Sequence, residues 1–247
     1  MLIEKPVAAT SHEAEALTAL VKEAGLYCLV GHHRRYHPAL QQLKSWVEAG
    51  TFGTMIGSSL LWAMRKPDDY FQGNWRAKDG SPIMINTIHD IDAMRFVLGD
   101  IVDMAGVASN GVRRSERVET GAAIISFASG AKGTILISDA ALSPWGFEAG
   151  IGENPNIGTT NQDMWWLIGT KGSVSFPSLT RWGGTQDWSQ PAQATSFSAQ
   201  MVTPLRAQLD HFIAVVAGAQ KPLITIEDAT ASLKATWQLE QLLQKQL

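Results

Sequence analysis

The chain has 247 residues, 45% of them hydrophobic, and a formal net charge of −3, enough material for one large domain or one and a half. That charge leaves no basic footprint for nucleic acid, and no stretch approaches the roughly 18 apolar residues of a membrane span. The single cysteine, Cys28, lies in the apolar run Tyr27–Val30 and reads as a buried structural thiol in a reducing compartment.

At the front, Met1-Leu2-Ile3 is an apolar run followed at once by Glu4-Lys5-Pro6, the pattern of a buried strand's end. Residues 1–20 carry acids early and no apolar core, so no signal peptide is expected and the expected setting is the cytoplasm. Thr10 with Glu13 predicts a capping box opening a helix to about Ala24, closed by Gly25. Tyr27–Gly31 predicts a short strand, giving a parallel βαβ-like unit. His32–His37 (HHRRYH) crowds polar groups just past that strand's end, where open α/β sheets place ligands. A second helix is predicted over about Pro38–Ala49, ending at Gly50.

From residue 54 the pattern turns to strands. Met55–Met64 predicts a long one, followed by a polar loop, Arg65–Lys78, that carries Tyr70, Phe71, Trp75 and Arg76. The rest of the chain is organised around Gly80–Asp100. Pro82 suits the first turn of a helix there, and Gly99 suits the residue past its end. Met84, Ile88, Ile91, Met94 and Leu98 form one apolar stripe at helical spacing. Asn86, His89 and Asp92 form a polar line nearly opposite, flanked by Ile85 and Phe96. Apolar residues on both sides predict a helix covered by a core on one face and a second body on the other.

Further strands are predicted near Ile101–Ser109, Glu119–Phe127 and Gly133–Ser138, with a hairpin at Ser129-Gly130. Ala140–Gln162 reads as a Gly/Pro/Asn-rich loop of a length that usually carries function. Asp163–Ile168 and Ser173–Phe176 predict another hairpin around Gly169–Gly172. Residues 183–202 predict an exposed excursion, and about Pro204–Gly218 and Ile226–Gln246 two amphipathic helices. No internal repeat is visible. Runs of strands with helices kept to one side predict an α+β fold with a large, mostly antiparallel sheet.

The nearest string to a dinucleotide fingerprint, Gly150-Ile151-Gly152, lies mid-loop without a preceding strand or following helix and reads as a turn. The histidines offer no clear tetrahedral ligand set, so no metal site is expected. A G-x-S-x-G elbow is absent as well. Acid–base chemistry around Lys5 and His89 remains. A lysine at a strand's end, locked by a following proline, has a fixed direction, and desolvation would lower its pKa. A histidine exchanges protons near neutral pH. Each also has a plain alternative: a surface lysine and a hydrogen-bonded core histidine.

Glu4-Lys5-Pro6, Gly31 with Arg34-Arg35-Tyr36 and Pro38, Gly50–Gly53, Trp75-Arg76, and Gly80 through His89 and Asp92 to Gly99 occur in an order similar to the Gfo/Idh/MocA family of NAD(P)-dependent oxidoreductases. The later stretch Ser138-Asp139 through Ser143-Pro144-Trp145 to Glu153-Asn154-Pro155 resembles a subgroup that includes quinate-utilisation oxidoreductases. The resemblance implies a Rossmann-like domain, of which residues 1–36 are a remnant. Residues 37–247 would form a substrate-binding and oligomerisation domain, with helix 226–246 packing back on the first part.

The resemblance further implies that His89 is the general acid/base for a carbinol proton and that Lys5 polarises its oxygen. NAD or NADP is the implied cofactor, met by Glu4, Lys5, Pro6, Trp75 and Arg76. The implied substrate is a sugar, cyclitol or similar polyhydroxylated compound, met by His33, Arg34, Tyr36, Tyr70, Asn86 and Asp92. A homo-oligomer through the sheet face is implied, with neither nucleic acid nor membrane as partner. Many members carry an aspartate four residues before the histidine. Here that position is Ile85, and Asn86 follows, able to hydrogen-bond a hydroxyl but not to relay a proton. Because the Gly-rich turn is missing, the chain reads as truncated, with weak or no activity alone. The alternatives are a non-catalytic oligomerisation or substrate-binding module and a metal-dependent hydrolase or isomerase.

Overall fold

The computed structural model describes residues 1–73, 75–77, 80–199 and 202–247. β1 (Leu2–Ile3), α1 (Ser11–Glu23) and β2 (Leu29–Val30) open the chain. Thr10 and Glu13 cap α1 reciprocally, and β1 pairs with β2 in parallel, Leu2 opposite Leu29. A 3₁₀ turn over His33–Tyr36 leads into α2 (Pro38–Glu48), whose first turn is capped by His37 Nδ1 accepting from the Ala39 N–H at 3.2 Å. There follow β3 (Met55–Ala63), α3 (Ile88–Leu98), β4 (Ile101–Ser109), β5 (Thr120–Phe127), β6 (Lys132–Ser138), α4 (Phe147–Ile151), β7 (Trp165–Gly169), β8 (Gly172–Phe176), β9 (Arg181–Gly183), β10 (Gln193–Thr195), α5 (Pro204–Val216) and α6 (Ile226–Gln244).

Eight strands form one sheet in the order β10-β9-β8-β7-β3-β6-β5-β4, antiparallel except for the parallel pair β3–β6. Alternation decides which face each side chain takes. Leu60, Trp62, Ile125, Phe127, Ile135 and Ile137 are buried and pack with Leu40 and Leu43 of α2, Ile91 and Met94 of α3, and Leu239 and Leu243 of α6. Small residues let α6 approach the sheet: a Cβ at Gly106 would lie 2.6 Å from the Ala122 carbonyl oxygen and 2.9 Å from Leu243 Cδ2. Their strand neighbours Val107, Ile124 and Leu136 face outward and are exposed. The predicted architecture of a sheet with helices on one face is therefore present.

Three differences from the predicted elements have physical causes. The chain does not enter a regular α-helix at Pro82. It winds a π turn over Ile83–Thr87, in which the Ile88 N–H reaches the Ile83 carbonyl, and becomes α-helical at Ile88. The loop 140–162 contains α4, and the excursion contains β10, which extends the sheet by pairing with β9. Asn74 and Lys78 of the predicted polar loop, and Gln200 and Met201 of the excursion, lie outside the described residues.

The body that covers the second side of α3 comes from this chain itself. Ile88 packs in a smaller cluster with Val7, Val21 and Val30, closed by Ile226 and Leu233 of α6. Between the two clusters runs an ion pair. Asp92 accepts from Arg35 Nε at 2.8 Å and Nη2 at 2.7 Å, and from Ser232 Oγ at 2.7 Å. Arg35 also meets the partly exposed Asp228, so removing Asp92 takes away the buried partner of the guanidinium without leaving it wholly unpaired. Asp92→Ala is expected to lower the unfolding free energy by about 3–5 kcal/mol in urea titrations. The double replacement Arg35→Met/Asp92→Leu should recover most of that loss.

Candidate functional site

The end of β1, the 3₁₀ turn, the π turn with the start of α3, and the segment through α4 meet around a cleft of about 290 Å³. Lys5, His33, Arg34, Asn86, His89 and Glu153 line it, as does Glu148. Arg34 is the buried member that ties the walls together. Its Nη1 donates to Asp90 Oδ1 at 3.0 Å and its Nε to Glu153 Oε2 at 3.3 Å. Its Nη2 lies 2.8 Å from Glu148 Oε1, and the guanidinium stacks over Phe147. The fork is thus filled by three carboxylates.

Each remaining wall residue is left with a defined character. Glu148 also accepts from Trp62 Nε1 at 3.0 Å and from Asn86 Nδ2 at 3.3 Å. With its amide nitrogen engaged, Asn86 keeps a buried Oδ1 that has no hydrogen-bond partner. Lys5 Nζ donates to the Ile85 carbonyl at 2.9 Å, within the π turn. Burial first, and Arg34 next, lower the Lys5 pKa below the usual lysine value. His89 is buried, and its Nδ1 has no partner. Burial, followed by the nearby Arg34 and Lys5 charges, holds its pKa well below the usual imidazole value, so the ring is neutral and free to accept. His33 Nε2 meets Glu153 Oε1, and the His33 ring stands edge-on to His89 with centroids 5.1 Å apart. An ammonium donor therefore faces bare acceptors, an arrangement able to hold a hydroxyl and take its proton.

Of the residues singled out in the sequence, Lys5, His33, Arg34, Asn86 and His89 share this cleft, and the others lie elsewhere. Asp92 is not open to a ligand, because Arg35 and Ser232 occupy both its oxygens. Tyr36 is buried with its ring against His211, 5.4 Å between centroids. Tyr70, Trp75 and Arg76 form a separate cation–aromatic group, with the Arg76 guanidinium 4.9 Å from the Tyr70 ring centre and 5.4 Å from that of Trp75. Glu4 packs beside Gly31, where a Cβ would come within 2.9 Å of its carboxylate, and Pro6, joined by a cis peptide to Lys5, is exposed.

Two wall residues escaped sequence reasoning, Glu148 and Glu153. Their signal was weak: isolated acids either side of Gly150-Ile151-Gly152, in a loop of functional length. That string is the C-terminal end of α4, with Gly152 in the left-handed region at φ 67°, rather than a plain turn. A helix C-terminus presents carbonyls and repels phosphate. Among the described residues no group of three or more His, Cys, Asp or Glu is arranged to hold a metal ion, and no helix is long and apolar enough to cross a membrane.

A family model described as the GFO/IDH/MocA C-terminal domain matches residues 40–175, over half of the chain. The chain belongs to the GFO/IDH/MocA family. It is 26% identical over 256 residues to scyllo-inositol 2-dehydrogenase (NAD(+)) of Bacillus subtilis, covering 95% of this chain and 65% of that enzyme. It is 32% identical over 123 residues to 1,5-anhydro-D-fructose reductase of Ensifer adhaerens, covering 45% of this chain and 36% of that enzyme. This GFO/IDH/MocA chain thus spans less than two thirds of the curated relatives it matches. Its fold is that of the WlbA dehydrogenase from Bordetella pertussis, solved with NADH and UDP-GlcNAcA: TM-score 0.74, 21% identity, over 100% of this chain and 70% of that one.

The charges behind the cleft have a consequence for stability. Burial pushes the Asp90 carboxyl up to about 7, with Arg34 opposing and Glu148 and Glu153 adding to the rise. A carboxyl raised in the folded state stabilises below its unfolded value of 3.8 and loses that contribution as pH climbs through about 7. Denaturation midpoints are therefore expected to fall between pH 4 and 7, and Asp90→Asn should flatten that slope.

Proposed function

We propose that this chain forms the substrate side of an NAD(P)-dependent oxidoreductase that interconverts a hydroxyl and a carbonyl on a sugar, cyclitol or similar polyhydroxylated compound. The observation that carries the reading is the meeting of Lys5 and His89 in one cleft beside the bare Asn86 oxygen. A nicotinamide cofactor, when bound, supplies the hydride acceptor or donor. Lys5 donates to the reacting oxygen and favours its anionic form. Neutral His89 takes the carbinol proton in oxidation and returns it in reduction. Asn86, turned by Glu148, accepts from a neighbouring hydroxyl.

The residues present fit one end of that cofactor. Lys5, with Glu4 and Pro6 around it, would meet the nicotinamide, while no strand–glycine turn–helix among the described residues offers N–H groups to a pyrophosphate. In this reading residues 1–36 close a nucleotide-binding fold and residues 37–247 bind substrate and associate. The cleft lends the narrower likeness to quinate-utilisation oxidoreductases no support. Arg34, the guanidinium of the cleft, is already committed to three carboxylates and has no face left for an acid.

A second reading, a module for self-association without catalysis, is favoured by the uncovered sheet face. Val107, Ala122, Leu136 and Leu61 form one cross-strand row there, and apolar surface of this kind marks an interface. We infer that copies of the chain meet through it in either reading. Leu136→Asp is expected to reduce the assembly size in light scattering, and an unchanged mass would exclude this face. Turnover separates the two readings. With NAD(P) and a panel of inositols and sugars, Lys5→Met and His89→Asn should each reduce kcat/KM by about 10²–10⁴-fold with unaltered folding. Unchanged rates in both would leave the module.

A further inference from the structure

We propose that His33 and Glu153 form a dyad that relays the proton from His89 to solvent, an inference that rests on the oxidoreductase reading of the cleft. A proton that His89 takes from a substrate hydroxyl arrives in an unfavourable place. The ring is 7% exposed, and the groups facing it are Arg34, Lys5, His32 and His33. While substrate fills the cleft, three of these four side chains are closed as exits. Arg34 and Lys5 already carry protons. His32 stands 5.9 Å away, centroid to centroid, but is 1% exposed and leads inward to Asp92.

His33 is the remaining face. Its ring meets His89 edge-on, and its side chain is 18% exposed, so it stands between the buried ring and water. Behind it, Glu153 Oε1 meets Nε2, while Glu153 Oε2 accepts from Arg34. Burial alone would raise the Glu153 carboxyl, but Arg34 and His33 hold it down to about 2, so it is ionised at every working pH. An ionised carboxylate only accepts. His33 Nε2 must therefore carry hydrogen, and Nδ1 is left as the bare base of the ring. A carboxylate placed this way also stabilises the imidazolium once formed.

The steps balance. A bound nicotinamide would supply the acceptor for the substrate C–H as hydride, and the O–H proton goes to His89. The proton then passes to His33 and from His33 to water, leaving both rings neutral. In reduction the order reverses.

Ring-labelled ¹⁵N NMR on the full chain tests this without cofactor or substrate. His33 is expected to carry hydrogen on Nε2, and Glu153→Gln should let both tautomers appear. Exchange of the His89 ring proton with water is expected to slow about tenfold or more in both His33→Asn and His33→Gln, given the usual worth of a placed acid–base group. Melting curves establish that each variant is folded. Hydrogen on Nδ1 of His33 in the parent chain, or unchanged His89 exchange in both variants, overturns the relay. If Lys5→Met and His89→Asn leave turnover unchanged while the NMR results hold, the failure belongs to the oxidoreductase reading and not to the dyad.

Discussion

The cleft depends on one buried cation. Arg34 lies on a 3₁₀ turn between the small parallel strand pair and the first helix of the sheet domain. Its partners come from two other parts of the chain: Asp90 from α3, and Glu148 and Glu153 from the segment between β6 and β7. A guanidinium out of water is tolerable only when its donors are satisfied. The same three carboxylates are out of water, and without Arg34 they would repel one another. The interaction therefore fixes the loop, the turn and α3 in one arrangement. Asn86 and His33 inherit their orientation from it, through Glu148 and Glu153 respectively.

That constraint also sets the polarity of the cleft. Because Arg34 is filled, it offers nothing to a ligand, and the cleft presents one ammonium against unpaired acceptors. His89 is kept neutral by burial and by positive neighbours, so its basicity reflects its surroundings more than the intrinsic chemistry of imidazole. Lys5 is shifted in the same direction by the same causes. Two groups that would be ordinary on a surface become poised by being placed side by side in a partly dry hollow.

Much of this was legible in the sequence where the cause is local. The Thr10–Glu13 capping box, Gly99 past the end of α3 and the hairpin at Ser129-Gly130 sit at their expected places because propensity and capping act over a few residues. The alternation in β5 and β6 marked the buried face of the sheet. The motif order placed Lys5, His33, Arg34, Asn86 and His89 together as candidates, and they share one cleft. What was not legible depends on long-range pairing. Nothing near Glu148 or Glu153 announces an arginine more than a hundred residues away. The polar look of Asp92 is that of a ligand group, yet its partner Arg35 buries it. The π turn also leaves no periodic trace, since one added residue in one turn is smaller than the tolerance of a helical pattern.

Helix α6 belongs to both hydrophobic clusters, with Ile226, Ala229 and Leu233 in the smaller and Leu239 and Leu243 under the sheet. A single rigid rod shared by two cores joins their fates. Loosening either cluster removes packing from part of the same nineteen-residue helix, so the two cores are coupled through it and α6 acts as a mechanical clamp between them.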